Sequence, residues 1–159
     1  LKKLPINILM ASAFTTYLGE APEDRRAQLV GVWCAHLQMH DPFRFMLMMS
    51  TESERLTWKA QGLPGDDLSA ENAIIILNTK QYPLVIDPAT QATEWLLTHH
   101  TSAGISVEVT TQQDVKFMQK LELAVRFGKT LVIQEVDKIE PLLFPILRKD
   151  LQRQGPRWC

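Results

Sequence analysis

The chain has 159 residues, 45% of them apolar and 22% charged, with a formal charge of −1. That length suffices for one domain with a real core, and the even charge balance gives no basic excess that would point to nucleic acid. No apolar run reaches the roughly 18 residues of a membrane-spanning helix, and Cys34 and Cys159 are too few for a disulfide scaffold or a four-cysteine zinc site.

The first predicted element is a helix that Pro5 starts and Gly19 stops. Ile6, Leu9, Met10, Ala13, Phe14, Tyr17 and Leu18 follow its period and form one apolar face. Pro22, with Glu23 and Asp24 in the first turn, opens a second helix that buries Leu29, Val30, Trp33 and Leu37 and ends before Asp41-Pro42. His36 and His40 are four apart on it, the spacing that lets two imidazoles share a metal. No glutamate stands beside His36 and no third ligand is placed by the pattern, so both are read as surface or half-buried histidines. His99 and His100, adjacent at a later helix end, are read the same way.

Phe43 to Met49 is methionine-rich and predicts a short core helix. Thr51-x-x-Glu54 reads as a capping box for a helix carrying Leu56 and Trp58, which Gly62-Leu63-Pro64 ends. Ser69 is expected to cap a helix over 70–78 that buries Ile74, Ile75 and Leu77. Leu84, Val85 and Ile86 then predict a short strand, Asp87-Pro88 a turn, and Trp95, Leu96 and Leu97 a following helix.

Strand, turn and helix in this order are the layout of a phosphate-binding loop. Such a loop offers an anion backbone N–H groups, a lysine and a helix N-terminus. Laid over G-x-x-x-x-G-K-[ST], Asp87 and Ala92 take the glycine positions, Thr93 the lysine position and Glu94 the hydroxyl position that holds magnesium. Asp87 and Glu94 would bring carboxylates to the phosphates, and two like charges at about 4 Å repel by roughly 4 kcal/mol at an effective dielectric of 20. The stretch Asp87, Pro88, Ala92, Thr93, Glu94 therefore reads as a vestigial phosphate loop or as an ordinary βα turn.

Ile105, Val107 and Val109 alternate with polar residues as a second strand. A helix from Gln112 to Phe127 follows, with Val115, Met118, Leu121 and Val125 on its apolar side and Gly128 as its stop. Thr130 to Ile133 is an apolar strand of the buried, parallel kind, so the fold class is α/β with a parallel sheet. In P-loop ATPases such a strand runs into Asp-Glu, the magnesium-supporting and water-orienting pair. Here Gln134 holds the first position and only Glu135 remains; a neutral amide does not replace a carboxylate beside a hard divalent cation. The rest is an apolar segment over 139–148 broken by Pro141 and Pro145, then a basic end with Arg148, Lys149, Arg153 and Arg157, and a turn at Gly155-Pro156 entering another strand.

Three stretches carry a family resemblance: Trp58-Lys-Ala-Gln-Gly-Leu-Pro-Gly-Asp-Asp-Leu-Ser-Ala-Glu-Asn-Ala73, Pro83-Leu-Val-Ile-Asp-Pro-Ala-Thr-Gln-Ala-Thr-Glu-Trp-Leu96, and Leu123-Ala-Val-Arg-Phe-Gly-Lys-Thr-Leu-Val-Ile-Gln-Glu-Val-Asp137. They resemble the fifth AAA+ module of dynein heavy chains, and the likeness extends over essentially the whole chain, closest to the dynein-2 branch that serves retrograde intraflagellar transport. The resemblance implies a P-loop NTPase-like (AAA+) fold, with an N-terminal helical part over 1–81 and a partial α/β core over 82–159 that ends before the family's sensor strand, arginine finger and small helical subdomain. It implies a non-catalytic, structural and relay module, with no catalytic, cofactor or metal residue of its own, in an ATP-driven minus-end-directed microtubule motor. ATP and magnesium would belong to other modules of the parent chain.

The implied partners are the neighbouring AAA+ modules and the linker of the same chain, with the microtubule and dynein accessory chains reached through the parent. The implied location is the cytoplasm, the cytoskeleton and the ciliary axoneme, which agrees with the reducing compartment expected from the two cysteines. A start without Met and the abrupt end at Cys159 point to an excised segment. Two other readings of the residues stay open: an active nucleotide enzyme with an unusual loop, in which Glu135 is the catalytic carboxylate, and a free-standing interaction domain.

Overall fold

A computed structural model describes residues 3–150, 153–154 and 157–158. The chain divides into two compact units, Leu1–Trp95 and Leu96–Cys159.

The first unit is helical. Its elements are α1 (Lys3–Tyr17), α2 (Glu23–His36), α3 (Phe45–Met49), α4 (Glu52–Ala60), α5 (Asp67–Asn78) and the first turn of α6 (Gln91–Ser102). Helices α1, α3 and α5 pack on one another, and Met10 and Phe14 of α1, Phe45 of α3 and Ala73 and Ile74 of α5 are buried. Phe14 stacks on Phe45 with ring centroids 3.9 Å apart, and Trp58 meets Trp95 edge to face at 6.1 Å. Such aromatic pairs add about 1 kcal/mol beyond the area they bury.

Local chemistry sets these helix ends. Thr51 and Glu54 form the expected capping box: the Thr51 hydroxyl accepts the Glu54 N–H, and the Glu54 carboxylate accepts the Thr51 N–H at 2.7 Å. Helix α4 stops where Gly62 takes φ +103° and Leu63 donates back to the Trp58 carbonyl. Helix α5 differs from expectation. Its cap is Asp66, which accepts the Ser69 N–H at 2.8 Å and the Ser69 hydroxyl at 2.8 Å, so Ser69 lies inside the first turn. Helix α2 also ends early. Gln38 adopts φ +50°, and Met39 donates to the Cys34 carbonyl, the pattern of a Schellman close. His40 lies beyond the helix, which removes the i,i+4 relation to His36; no metal-holding cluster of His, Cys, Asp and Glu occurs among the described residues.

The buried stripe of α1 is Met10, Ala11 and Phe14, continued by Leu18 just past its end, whereas Leu9 and Tyr17 are exposed, Tyr17 by 72%. This helix is apolar almost all round, so periodicity cannot single out the covered face. On α2 the expected face of Leu29, Val30, Trp33 and Leu37 is only half-buried, and the one buried residue is Arg26, in register with it.

The second unit holds β1 (Val107–Thr111), α7 (Phe117–Phe127), β2 (Thr130–Gln134), a 3-10 turn over Pro141–Leu143, α8 (Phe144–Leu147) and a short antiparallel pair, β3 (Arg153–Gln154) and β4 (Arg157–Trp158). The turn expected at Gly155-Pro156 lies outside the described residues. Strands β1 and β2 are parallel, with Val107 opposite Thr130 and Thr111 opposite Gln134, and α7 makes the crossover between them. The core groups Phe117, Leu121 and Leu143 with Leu131, Ile133, Leu142 and Ile146. Gly128 closes α7 at φ +63°, as its position predicts. The start of α7 is later than expected because Asp114 accepts the Lys116 N–H at 2.9 Å and folds 112–116 into a turn. Its buried face is Phe117, Leu121 and Ala124, not the expected Val115–Met118–Leu121–Val125: Val115 precedes the helix and is fully exposed, and Met118 is 60% exposed.

The strand expected at Leu84–Ile86 does not form. Residues 82–87 form no regular element and have no ladder partner, Leu84 and Ile86 are 78% and 91% exposed, and the parallel sheet among the described residues has two strands. A strand exists only where a neighbour takes its N–H and C=O groups, and no described residue does so here.

Candidate nucleotide site

The loop half of the site lies in the first unit. Pro88 and Ala89 form a turn in which the Thr90 N–H donates to the Asp87 carbonyl at 3.2 Å, and α6 begins at Gln91. Thr90 adopts φ +59°, a left-handed conformation that a β-branched side chain takes only under strain. It precedes the helix in the capping position, yet its hydroxyl donates to the Ala89 carbonyl at 2.7 Å and caps nothing.

The cap comes from Asp87. One carboxylate oxygen, Oδ2, accepts both the Thr93 N–H at 2.8 Å and the Thr93 hydroxyl at 2.9 Å. A carboxylate on the first-turn N–H groups of a helix is favoured by the helix dipole and satisfies a donor that has no partner within the helix. The group an incoming phosphate would need at the lysine position is therefore a short hydroxyl, and that hydroxyl and its backbone N–H already face an anion of the chain itself. Ala92 is half-buried in the same first turn. Glu94, at the position of the magnesium-binding hydroxyl, is exposed on the turn, and its backbone N–H donates to the Thr90 carbonyl at 2.9 Å.

The second half lies in the other unit. Gln134 is the last residue of β2, half-buried and paired with Thr111. Glu135 follows it, exposed, at φ +54°. The chain thus leaves the ladder through a left-handed residue directly after Gln134, which turns Glu135 away from strand geometry. Each half of the site contains one non-glycine residue in this sparsely populated region, a feature to which apolar periodicity is blind.

Two polar networks were outside the reach of the motif. Thr110, buried on β1, donates to Asp114 at 3.2 Å, and Lys120 of α7 pairs with the same Asp114 oxygen at 2.9 Å. The Lys116 N–H and then Lys120 hold the Asp114 carboxyl below its ordinary range, and Asp114 in turn raises the Lys120 ammonium. In the first unit Arg26 is 3% exposed, and it donates to the carbonyls of Ala21 and Gly19, to Asn72 and to Glu71, the last at 2.9 Å. Burial raises the Glu71 carboxyl despite the arginine beside it. The signal for Arg26 was present: it falls on the apolar register of α2 at Leu29, Val30, Trp33 and Leu37. A charged residue in that register marks a buried, partnered ion.

Comparison with known proteins places this geometry in context. Residues 56–159 match the ATP-binding dynein motor region family. The chain is 56% identical over 159 residues to cytoplasmic dynein 2 heavy chain 1 of Chlamydomonas reinhardtii and 52% identical over 160 residues to that of Homo sapiens, covering 99% of this chain and 4% of each relative. It is 36% identical over 156 residues to a cytoplasmic dynein heavy chain of Dictyostelium discoideum, covering 95% of this chain and 3% of the relative. The chain thus spans about 4% of the length of the dynein 2 relatives it matches.

Proposed function

Because the chain belongs to the dynein heavy-chain family, as part of its ATP-binding motor region, we propose that it is a module that braces the motor and relays movement without binding or hydrolysing nucleotide itself. The observation that carries this reading is the Asp87–Thr93 contact. The loop lacks the lysine, and the donors that remain at position 93 are turned inward onto a carboxylate. Gln134 in place of the magnesium-supporting carboxylate and Glu94 in place of the hydroxyl support the same conclusion. The residues 87, 88, 92, 93, 94, 134 and 135 are then relics of a nucleotide site, and residues 1–81 are the helical approach to an AAA+ core over 82–159.

The brace and relay role is supported by apolar side chains left uncovered within each unit. Leu9 and Tyr17 on α1, Leu84 and Ile86 before the loop, and Val115 and Met118 at α7 are all exposed. Scattered apolar residues are ordinary on a surface, but an unpaired irregular segment with Leu84 and Ile86 bare suits a piece of a larger assembly better than a free-standing interaction domain. The parent would be a minus-end-directed microtubule motor of the dynein-2 kind, working in intraflagellar transport in the cilium, with ATP and magnesium in its other modules. The neighbouring AAA+ modules and the linker would cover this one, and microtubule and accessory chains would be partners of the parent. No helix among the described residues is long and apolar enough to cross a membrane.

The test is Glu135→Gln in the full heavy chain, with microtubule-stimulated ATP turnover as the readout. The relay reading expects turnover within about twofold of the parent. A fall beyond that range would make Glu135 the base of an active ATPase that contributes to the total instead.

A further inference from the structure

We propose that Asp87 is a tethered phosphate surrogate: a carboxylate that stands on the first-turn donors of α6 where an anion would stand, and that keeps the loop permanently in one ordered conformation. The inference rests on the non-catalytic reading above and goes beyond it, since a dead site could equally have been left slack.

Three features distinguish this arrangement from an ordinary helix cap. The residue in the capping position, Thr90, spends its hydroxyl on Ala89, so the helix does not cap itself. The anion comes from six residues before Thr93, from the far side of the turn, and crosses it to reach both the N–H and the hydroxyl with one oxygen. The turn it spans holds Thr90 at φ +59° against a steric preference, which needs a compensating contact to persist. In a working loop the phosphate supplies that contact, and the loop orders when nucleotide arrives. Here the chain supplies it at all times. An external phosphate would have to displace the carboxylate or share its donors with it, so Asp87 both orders the loop and excludes the ligand.

The consequence for a machine driven by nucleotide is a module whose loop–helix junction does not respond to nucleotide and stays stiff throughout the cycle. The experiment is hydrogen exchange of the peptide over 88–95 in the full heavy chain, for the parent and for Asp87→Ala, with and without inorganic phosphate at tens of millimolar. The surrogate predicts exchange at the Thr93 amide roughly fivefold or more faster in the variant, the equivalent of one lost cap, restored toward the parent rate by phosphate, with no effect of phosphate on the parent. Unchanged exchange in the variant overturns the proposal, and so does faster exchange that phosphate fails to restore, which would make Asp87 a plain cap. Asp87→Asn, which keeps an acceptor without the charge, covers the case in which the alanine variant does not fold: exchange as slow as the parent's would show that no anion is needed and would overturn the proposal, whereas phosphate-restored protection supports it. Saturable binding of MgATP to the folded 159-residue chain would instead defeat the non-catalytic reading itself, so the two failures are distinguishable.

Discussion

Thr90 and Arg26 show how much single residues contribute that a motif comparison does not see. A β-branched residue at φ +59° is strained, and glycine takes that region without a side-chain clash. Thr90→Gly is therefore expected to leave stability unchanged or raise it by up to about 1 kcal/mol, even though glycine loosens the unfolded chain. Urea unfolding of the 159-residue chain would check this; a loss above that figure would mean that Thr90 makes a contact worth more than its strain. Arg26 is the opposite case, a buried cation that donates from all three of its guanidinium nitrogens. Arg26→Met should destabilise by about 3 kcal/mol, because it strands Glu71 and leaves the carbonyls of Gly19 and Ala21 without their donor. Glu71→Gln should cost less, about 1 kcal/mol, since an amide oxygen still accepts from Arg26 and the charge that burial disfavours is gone. If the two variants cost the same, the clamp is not built as described. From the sequence the departures at 87, 92, 93, 94 and 134 from the phosphate-loop pattern can be read because that pattern is a fixed set of residue types. The Asp87–Thr93 contact cannot, because it depends on the path of the turn and on a hydroxyl that ignores its usual role.

Some helix ends built from local chemistry were legible, but the Asp66 cap of α5, the early close of α2 and the late start of α7 were not, and the buried face was misread where it depends on packing. The capping box at Thr51–Glu54 and the left-handed close at Gly128 need only neighbouring residues, and both are present as expected. On α7 the expected face kept Leu121 but was rotated too far, because the helix was started too early: Val115, counted into the stripe, lies in the turn before it, and Phe117 and Ala124 take the buried positions instead of Met118. Phe117→Ala should cost about 3–5 kcal/mol, whereas Met118→Ala should cost under about 0.5 kcal/mol. Equal losses would restore the face read from periodicity. The missing strand at Leu84–Ile86 has the same origin at longer range: its residues are suited to a sheet, but a ladder needs a partner, which a local pattern cannot provide.

The caps also set the acid behaviour of α4 and α5. The Thr51 N–H and hydroxyl hold the Glu54 carboxyl below its ordinary 4.5, and the Ser69 N–H and hydroxyl hold Asp66 below its ordinary 3.8. A carboxyl whose native value is depressed stabilises fully above its unfolded value and loses that contribution as pH falls through the native one. Both helices should therefore hold their first turns at pH 5 and above and fray at the N-terminus only on acidification below the pH 4 region. Amide exchange at Glu54 and Ser69 followed against pH would show this; protection that fades near neutrality would contradict it.

At the scale of the whole molecule, the residues proposed as an altered phosphate loop lie in one unit and Gln134 and Glu135 in the other, and each unit leaves apolar side chains in water. The fold class was legible because the βαβ order with an apolar second strand and a glycine stop admits few alternatives, and β1–α7–β2 is parallel as that order requires. Family membership was legible through Asp87-Pro88 with Gln91-Ala92-Thr93-Glu94-Trp95 and through Arg126-Phe-Gly-Lys-Thr130, in which turn residues and core residues are interleaved. The functional account depends above all on the loop being closed to phosphate. Calorimetric titration of the folded chain with MgATP and MgADP tests that most directly. The account predicts no binding heat at millimolar nucleotide for either, whereas saturable binding in the micromolar range would show that the carboxylate-lined loop holds phosphate after all and would contradict the proposed role.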